Sequence, residues 1–188
     1  MRRTLLAAPA AAALLLAPHA SAAPSADVEQ AAVLDVHLPG QAGGLDLILL
    51  ASRTSTGASR LRLDLGSHGA PQLYGGTLPA GAFRTDGSVA TLRTRIGGQP
   101  VVVTWRVIES SVSAFTGEEN GRDEQAQGWH AAGKGANVDL RIGSLHCYVS
   151  GLMGTAVTHD DGSYGAPVSS APRLGTKGSC SEIASDVT

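Results

Sequence analysis

Apolar and polar residues alternate in short runs along most of the chain after Gln30. Val33–Leu38 reads VLDVHL, Leu61–Leu65 reads LRLDL and Ala90–Ile96 reads ATLRTRI. Val101–Val107 reads VVVTWRV and Val138–Ile142 reads VDLRI. A period of two puts one set of side chains on each face of a pleated strand, so each run predicts a half-buried β-strand. Val101, Val103, Trp105 and Val107 share the buried face of theirs. Leu45–Leu50, LDLILL, is more continuously apolar. It reads as a central strand or a short buried helix.

The separators are short and rich in Gly and Pro. Pro39–Gly44 parts the first two runs, Gly97–Pro100 parts ATLRTRI from VVVTWRV, and Gly143-Ser144 allows a tight hairpin before the next strand. Links of this length join antiparallel neighbours, and no dozen-residue amphipathic helix is present to make a parallel crossover. The pattern predicts an all-β domain, an antiparallel two-sheet β-sandwich, with a β-barrel as the alternative.

The first thirty residues break this pattern. Arg2 and Arg3 precede an Ala/Leu run from Leu5 to Pro18, followed by the small-residue site Ala20-Ser21-Ala22. This is the layout of a cleaved secretory signal peptide over residues 1–22, too short in its apolar part to span a bilayer. The expected product is secreted, extracellular or attached at the cell surface, with no integral membrane segment after cleavage. Its expected organisation is one β domain over 23–161 and a Gly/Ser/Ala-rich tail over 162–188 that follows the surface without regular structure.

Charge narrows the partners. The chain holds fourteen Arg and Lys against sixteen Asp and Glu. Loss of Arg2 and Arg3 with the leader leaves a charge of −4 on the remainder. The basic residues form no block in the sequence, so no nucleic-acid footprint is expected. An extracellular protein, peptide or glycan is the expected kind of partner.

The two cysteines, Cys147 and Cys180, have one way to pair, and export favours the disulfide. Closing a loop of this size stabilises by about 3–4 kcal/mol in the chain-entropy account. Strand parity places Leu145, Cys147 and Val149 on one face and His146 and Tyr148 on the other. The adjacent His146 and Cys147 therefore do not converge on one reacting atom as a nucleophilic pair must.

Other chemistry is sparse. His159, Asp160 and Asp161 beside Gly162 could hold calcium, as could Glu118, Glu119, Asp123 and Glu124, but neither segment has the alternating spacing of a calcium loop. No HExxH pair, nucleophile elbow or phosphate loop occurs. No metal and no cofactor is expected, and no catalytic residue is assigned. The expected function is noncatalytic recognition, with a structural cell-surface or cell-wall role as the alternative and a hydrolase as a further one. The expected ligand-binding residues are Trp129, Glu118, Glu119, Asp123 and Tyr164. They lie in the polar 116–128 loop, just after it, and in the 159–164 turn.

Overall fold

A computed structural model describes residues 27–39, 44–66, 72–117, 129–158, 165–175 and 178–182. Residues 1–22, expected to be a signal peptide, and Glu118, Glu119, Asp123, Glu124, His68, His159, Asp160, Asp161 and Tyr164 lie outside these residues. Among the described residues no helix is long and apolar enough to cross a membrane.

The strands are β1 (Asp27–Leu38), β2 (Leu45–Arg53), β3 (Ser59–Gly66), β4 (Gln72–Leu78), β5 (Phe83–Thr85), β6 (Val89–Ile96), β7 (Gln99–Gly117), β8 (Trp129–Ile142), β9 (Leu145–Thr158), β10 (Ala166–Pro167) and β11 (Ser181–Glu182). They form one sheet in the order β10-β4-β3-β2-β1-β9-β8-β7-β6-β5, with β11 added beside β1. Among the described strands only β10 runs parallel to its neighbour, β4. Every run read as a strand from alternation lies within one. The ambiguous LDLILL segment is β2, a central strand between β1 and β3.

The expected two-sheet sandwich is not the architecture. The protein is a single curled, open sheet, a half-barrel. No ladder among the described residues joins its terminal strands, β5 and β10, so it is not a closed barrel either. The reason lies in strand length. β7 has 19 residues, and β8 and β9 have 14 each. Only one half of each carries bulky alternating residues. Long strands that bend at mid-length can serve two walls without the sheet breaking in two. The bends have visible causes. The β7–β8 register shifts between Val107 and Val112, a bulge. At the matching level of β8 and β9, Gly133 faces Gly154, and a Cβ on either would strike the backbone of the strand beside it.

The concave side holds the main core. It includes Leu34, Leu47, Leu49, Leu61, Leu63, Phe83, Leu92, Val103, Trp105 and Leu140. Phe83 meets Trp105 edge to face, with ring centroids 6.4 Å apart. Trp105 also sits where the sheet divides. β1 pairs with β9 only as far as Leu34 opposite Gly151, and beyond that point the two strands part. There Trp105 Nε1 donates a buried hydrogen bond of 2.8 Å to the Val33 carbonyl. A side chain on Gly151 would collide with Val33 O, Val138 and Trp105, so the fork requires glycine.

The C-terminal segment fills the fork. β11 pairs with Val36 and His37 of β1 in the place β9 has left, and the Cys147–Cys180 disulfide ties it to β9 across a Cα–Cα distance of 5.8 Å. The expected pairing of the cysteines is therefore present. The tail is expected to run without regular structure, but residues 165–175, most of them exposed, hold β10 and a 3₁₀ turn. β10 lies along β4, and the 3₁₀ turn Val168–Ser170 touches β3, β4 and β6. Ala171 and Leu174 enter the main core. Gln99 fixes Leu174 twice: its Nε2 donates to the Leu174 carbonyl at 3.0 Å, and its Oε1 accepts from the Leu174 N–H. The segment thus straps one side of the curl to the other. A smaller apolar cluster, Ala31, Val33, Leu50, Ala131 and Ala156, lies on the opposite face of the sheet.

Candidate functional site

The outer face of β6–β9 is built by parity and register. With Leu92, Val103, Leu140 and Cys147 in the core, their neighbours must point outward. The register then lays the outward residues in cross-strand rows. Arg93, Val102, Arg141 and His146 form one row. Thr91, Thr104, Asp139 and Tyr148 form the next. Val89, Arg106, Asn137 and Ser150 form the third.

Asp139 organises the centre. Arg141 Nε donates to its Oδ1 at 3.1 Å and Nη2 to its Oδ2 at 3.4 Å, a two-pronged pair. His146 Nε2 lies 3.1 Å from the same Oδ1. Partial burial pushes the Asp139 carboxyl upward. The hydrogen bond and charge of Arg141, joined by His146, outweigh this and hold it below the usual carboxylate value. Asp139 therefore stays ionised at neutral pH. The same bond raises Arg141.

Tyr148 stands beside this cluster. Its ring packs on His146, centroids 4.7 Å apart and tilted by 49°. Even so it is 76% exposed, the most exposed of the large apolar side chains in the described structure. Ile108, 58% exposed, continues the apolar exposure on β7. A shallow groove of about 430 Å³ runs past the tyrosine, lined by Arg106, Asn137, Asp139, Tyr148 and Ser150. The face thus offers an aromatic plane, a fixed carboxylate, an amide and the Arg106 guanidinium along one groove.

This is not where the sequence placed the site. Of the expected residues, Trp129 is described through its backbone, which pairs with Gly117 and Thr158. Gly117 and Trp129, which bracket the 118–128 segment, and Thr158, which precedes 159–164, therefore share one end of the sheet, while Gly165, which follows 159–164, lies beside β4. Glu118, Glu119, Asp123 and Tyr164 lie outside the described residues. His146 and Tyr148 do face away from the core as parity required. Their company with Asp139, Arg141 and Arg106 was missed, because it depends on register. The available signal was the placing of Arg at the polar positions of TLRTRI, TWRV and VDLRI.

A second polar region lies on the outer face of β1–β3. Glu29 is fully buried, with Arg60 Nη1 donating to it at 3.1 Å and Arg62 Nη1 3.7 Å away. His37 Nδ1 and Asp46 Oδ1 are 2.7 Å apart. Asp35 is raised to about 6 by burial and by the charges of Asp46 and Asp64. Among the described residues no group of three or more His, Cys, Asp and Glu is placed to hold a metal ion. No protein-family model, curated protein or solved structure matches the chain.

Proposed function

We propose that the protein is a secreted, noncatalytic recognition module whose contact surface is the outer face of β7–β9. The observation that carries this reading is Tyr148. It is a large side chain kept in the open on a rigid strand, braced by His146 and bordered by a polar groove. A tyrosine so placed supplies contact area with few rotatable bonds, while Asp139, Asn137 and Arg106 can fix orientation. Export follows from the leader-like first 22 residues and agrees with a disulfide-bonded β domain. The contacts expected through Trp129, Glu118, Glu119, Asp123 and Tyr164 are kept as a second candidate surface, of which only the Trp129 backbone is described.

The test is native capture from the extracellular fraction, followed by titration of the captured partner against three variants. Tyr148→Ala is expected to weaken binding about tenfold or more, the ordinary cost of losing a buried aromatic anchor. Its unfolding midpoint should not change. Trp129→Ala and shortening of the 118–128 segment separate the two surfaces. Binding unaffected by Tyr148→Ala would reject the β7–β9 face. Turnover of a small substrate, abolished by one substitution without unfolding, would reject the noncatalytic assignment.

A further inference from the structure

The sequence contains no basic block, yet the fold makes a basic face. The four arginines of β6–β8, Arg93, Arg95, Arg106 and Arg141, all occupy outward positions and all are exposed. Among the described side chains the outer face of β6–β9 carries a single carboxylate, Asp139. The strand lattice fixes the spacing. Arg93 and Arg95 are alternate residues on one strand, about 7 Å apart, and Arg93 and Arg141 share a row two strands apart, about 10 Å. Arg106 lies four positions along the sheet from Arg141, since it pairs with Asn137, which places it about 13 Å further on.

These cations are differently committed. Arg141 is held by Asp139, which engages two of its five donors. Arg95 Nη1 donates to the Gly98 carbonyl at 2.7 Å, which orients it. No carboxylate among the described residues pairs with Arg93 or Arg106. In a protein whose net charge is −2, gathering cations on one open face leaves that face complementary to an anion.

We propose that this face binds an acidic glycan, a polysaccharide bearing repeated carboxylates. Arg93, Arg106 and Arg141 meet the carboxylates, and Tyr148 stacks on a sugar ring. The proposal rests on the reading of this face as a recognition surface and names its ligand class. A regular lattice of cations suits a regular polymer of anions. Arg favours the forked contact with carboxylate. Among the described side chains Tyr148 is the lone exposed benzene ring of the face, where a single-stranded nucleic acid is held by successive aromatic planes along its path. The groove lies on an exposed sheet face and opens to solvent, so a chain can reach it from the side.

The test uses the full chain with its disulfide intact. An oligouronate is titrated by calorimetry at low salt, beside its methyl ester and a single-stranded DNA oligomer of equal charge. The proposal expects the oligouronate to bind and the neutral ester to bind at least about tenfold more weakly. Affinity should fall roughly tenfold between about 50 mM and about 200 mM salt, as ion release requires. Arg93→Ala and Arg106→Ala should each cost about tenfold, as the loss of a charged hydrogen bond does. Arg→Lys at either position should restore part of that, and neither change should move the unfolding midpoint. Equal binding of the ester would overturn the acidic class and leave recognition at this face standing with a neutral glycan. DNA binding as tight as the oligouronate, with the same arginine dependence, would overturn the glycan. No binding of the oligouronate at low salt would overturn the proposal. The recognition reading then stands or falls on the captured partner and Tyr148→Ala.

Discussion

The outer faces of β1–β3 and β6–β9 use the same alternation and many of the same residues, to opposite ends. On β1–β3 the charges are turned on one another. Glu29 is fully buried between Arg60 and Arg62, and Asp46 holds His37. Among the described side chains of β6–β9 one carboxylate serves a face of four exposed arginines, and a tyrosine stands in water beside it. Charges desolvated and paired within a fold are bound up with its integrity. Charges left solvated contribute little to stability and are available to a partner. The difference lies in burial, which alternation by itself does not specify.

The largest effect should come from the core residue that joins β7 to β1 beneath both faces. Trp105→Ala removes a fully buried side chain at the fork, along with the hydrogen bond to Val33 O. It should destabilise by about 3–5 kcal/mol in chemical denaturation. Next is Glu29→Ala, which removes the fully buried carboxylate to which Arg60 donates and beside which Arg62 lies. A loss of about 3 kcal/mol is expected. A loss under about 0.5 kcal/mol would erase the contrast between the two faces.

Asp35 gives a smaller effect of opposite sign. Its folded value of about 6 lies above the ordinary 3.8, so between those pH values the folded chain keeps a proton that the unfolded chain has lost. The native state is therefore favoured at low pH and loses stability as pH rises through 6. Asp46 and Asp64 oppose the charge on Asp35, and Asp35 Oδ1 is buried without a hydrogen-bond partner. Asp35→Asn should stabilise the protein above pH 6 by about 1–2 kcal/mol, after allowance for solvent screening. The gain should vanish towards pH 4. Unfolding midpoints of both proteins across that range check it, and a gain that does not change with pH would contradict the assignment. The smallest stability effect is expected on the other face, where Arg93→Ala and Arg106→Ala should each change stability by under about 0.5 kcal/mol.

The strands were legible because bulky residues recur every second position, and Trp105 and Cys147 faced the core as their parity required. The curl was not legible. The outer halves of β7–β9 read ESSVSAFTG, WHAAGKG and GTAVT, where small residues carry no bulky alternation and so no strand signal. Reading half of each strand turns one bending sheet into two. The strap was hidden for a related reason, since of its described residues only Ala171 and Leu174 are buried in the core and Val168 packs partly against it. The basic face was invisible because cross-strand neighbours are far apart in sequence. Arg93 and Arg141 share a row only once β6, β7 and β8 are known to be adjacent and in register.

The central claim is that β6–β9 meets the ligand while the paired charges of β1–β3 stay closed. Aromatic NMR tests it directly, because the chain has an open ring on one face and a buried one at the fork. On titration with an oligouronate, the Tyr148 ring signals should shift and saturate with the calorimetric affinity. The Trp105 indole N–H, buried and bonded to Val33 O, should stay in place. Saturable shifts at His37 and the Arg60 and Arg62 guanidinium groups, with Tyr148 unmoved, would contradict the account.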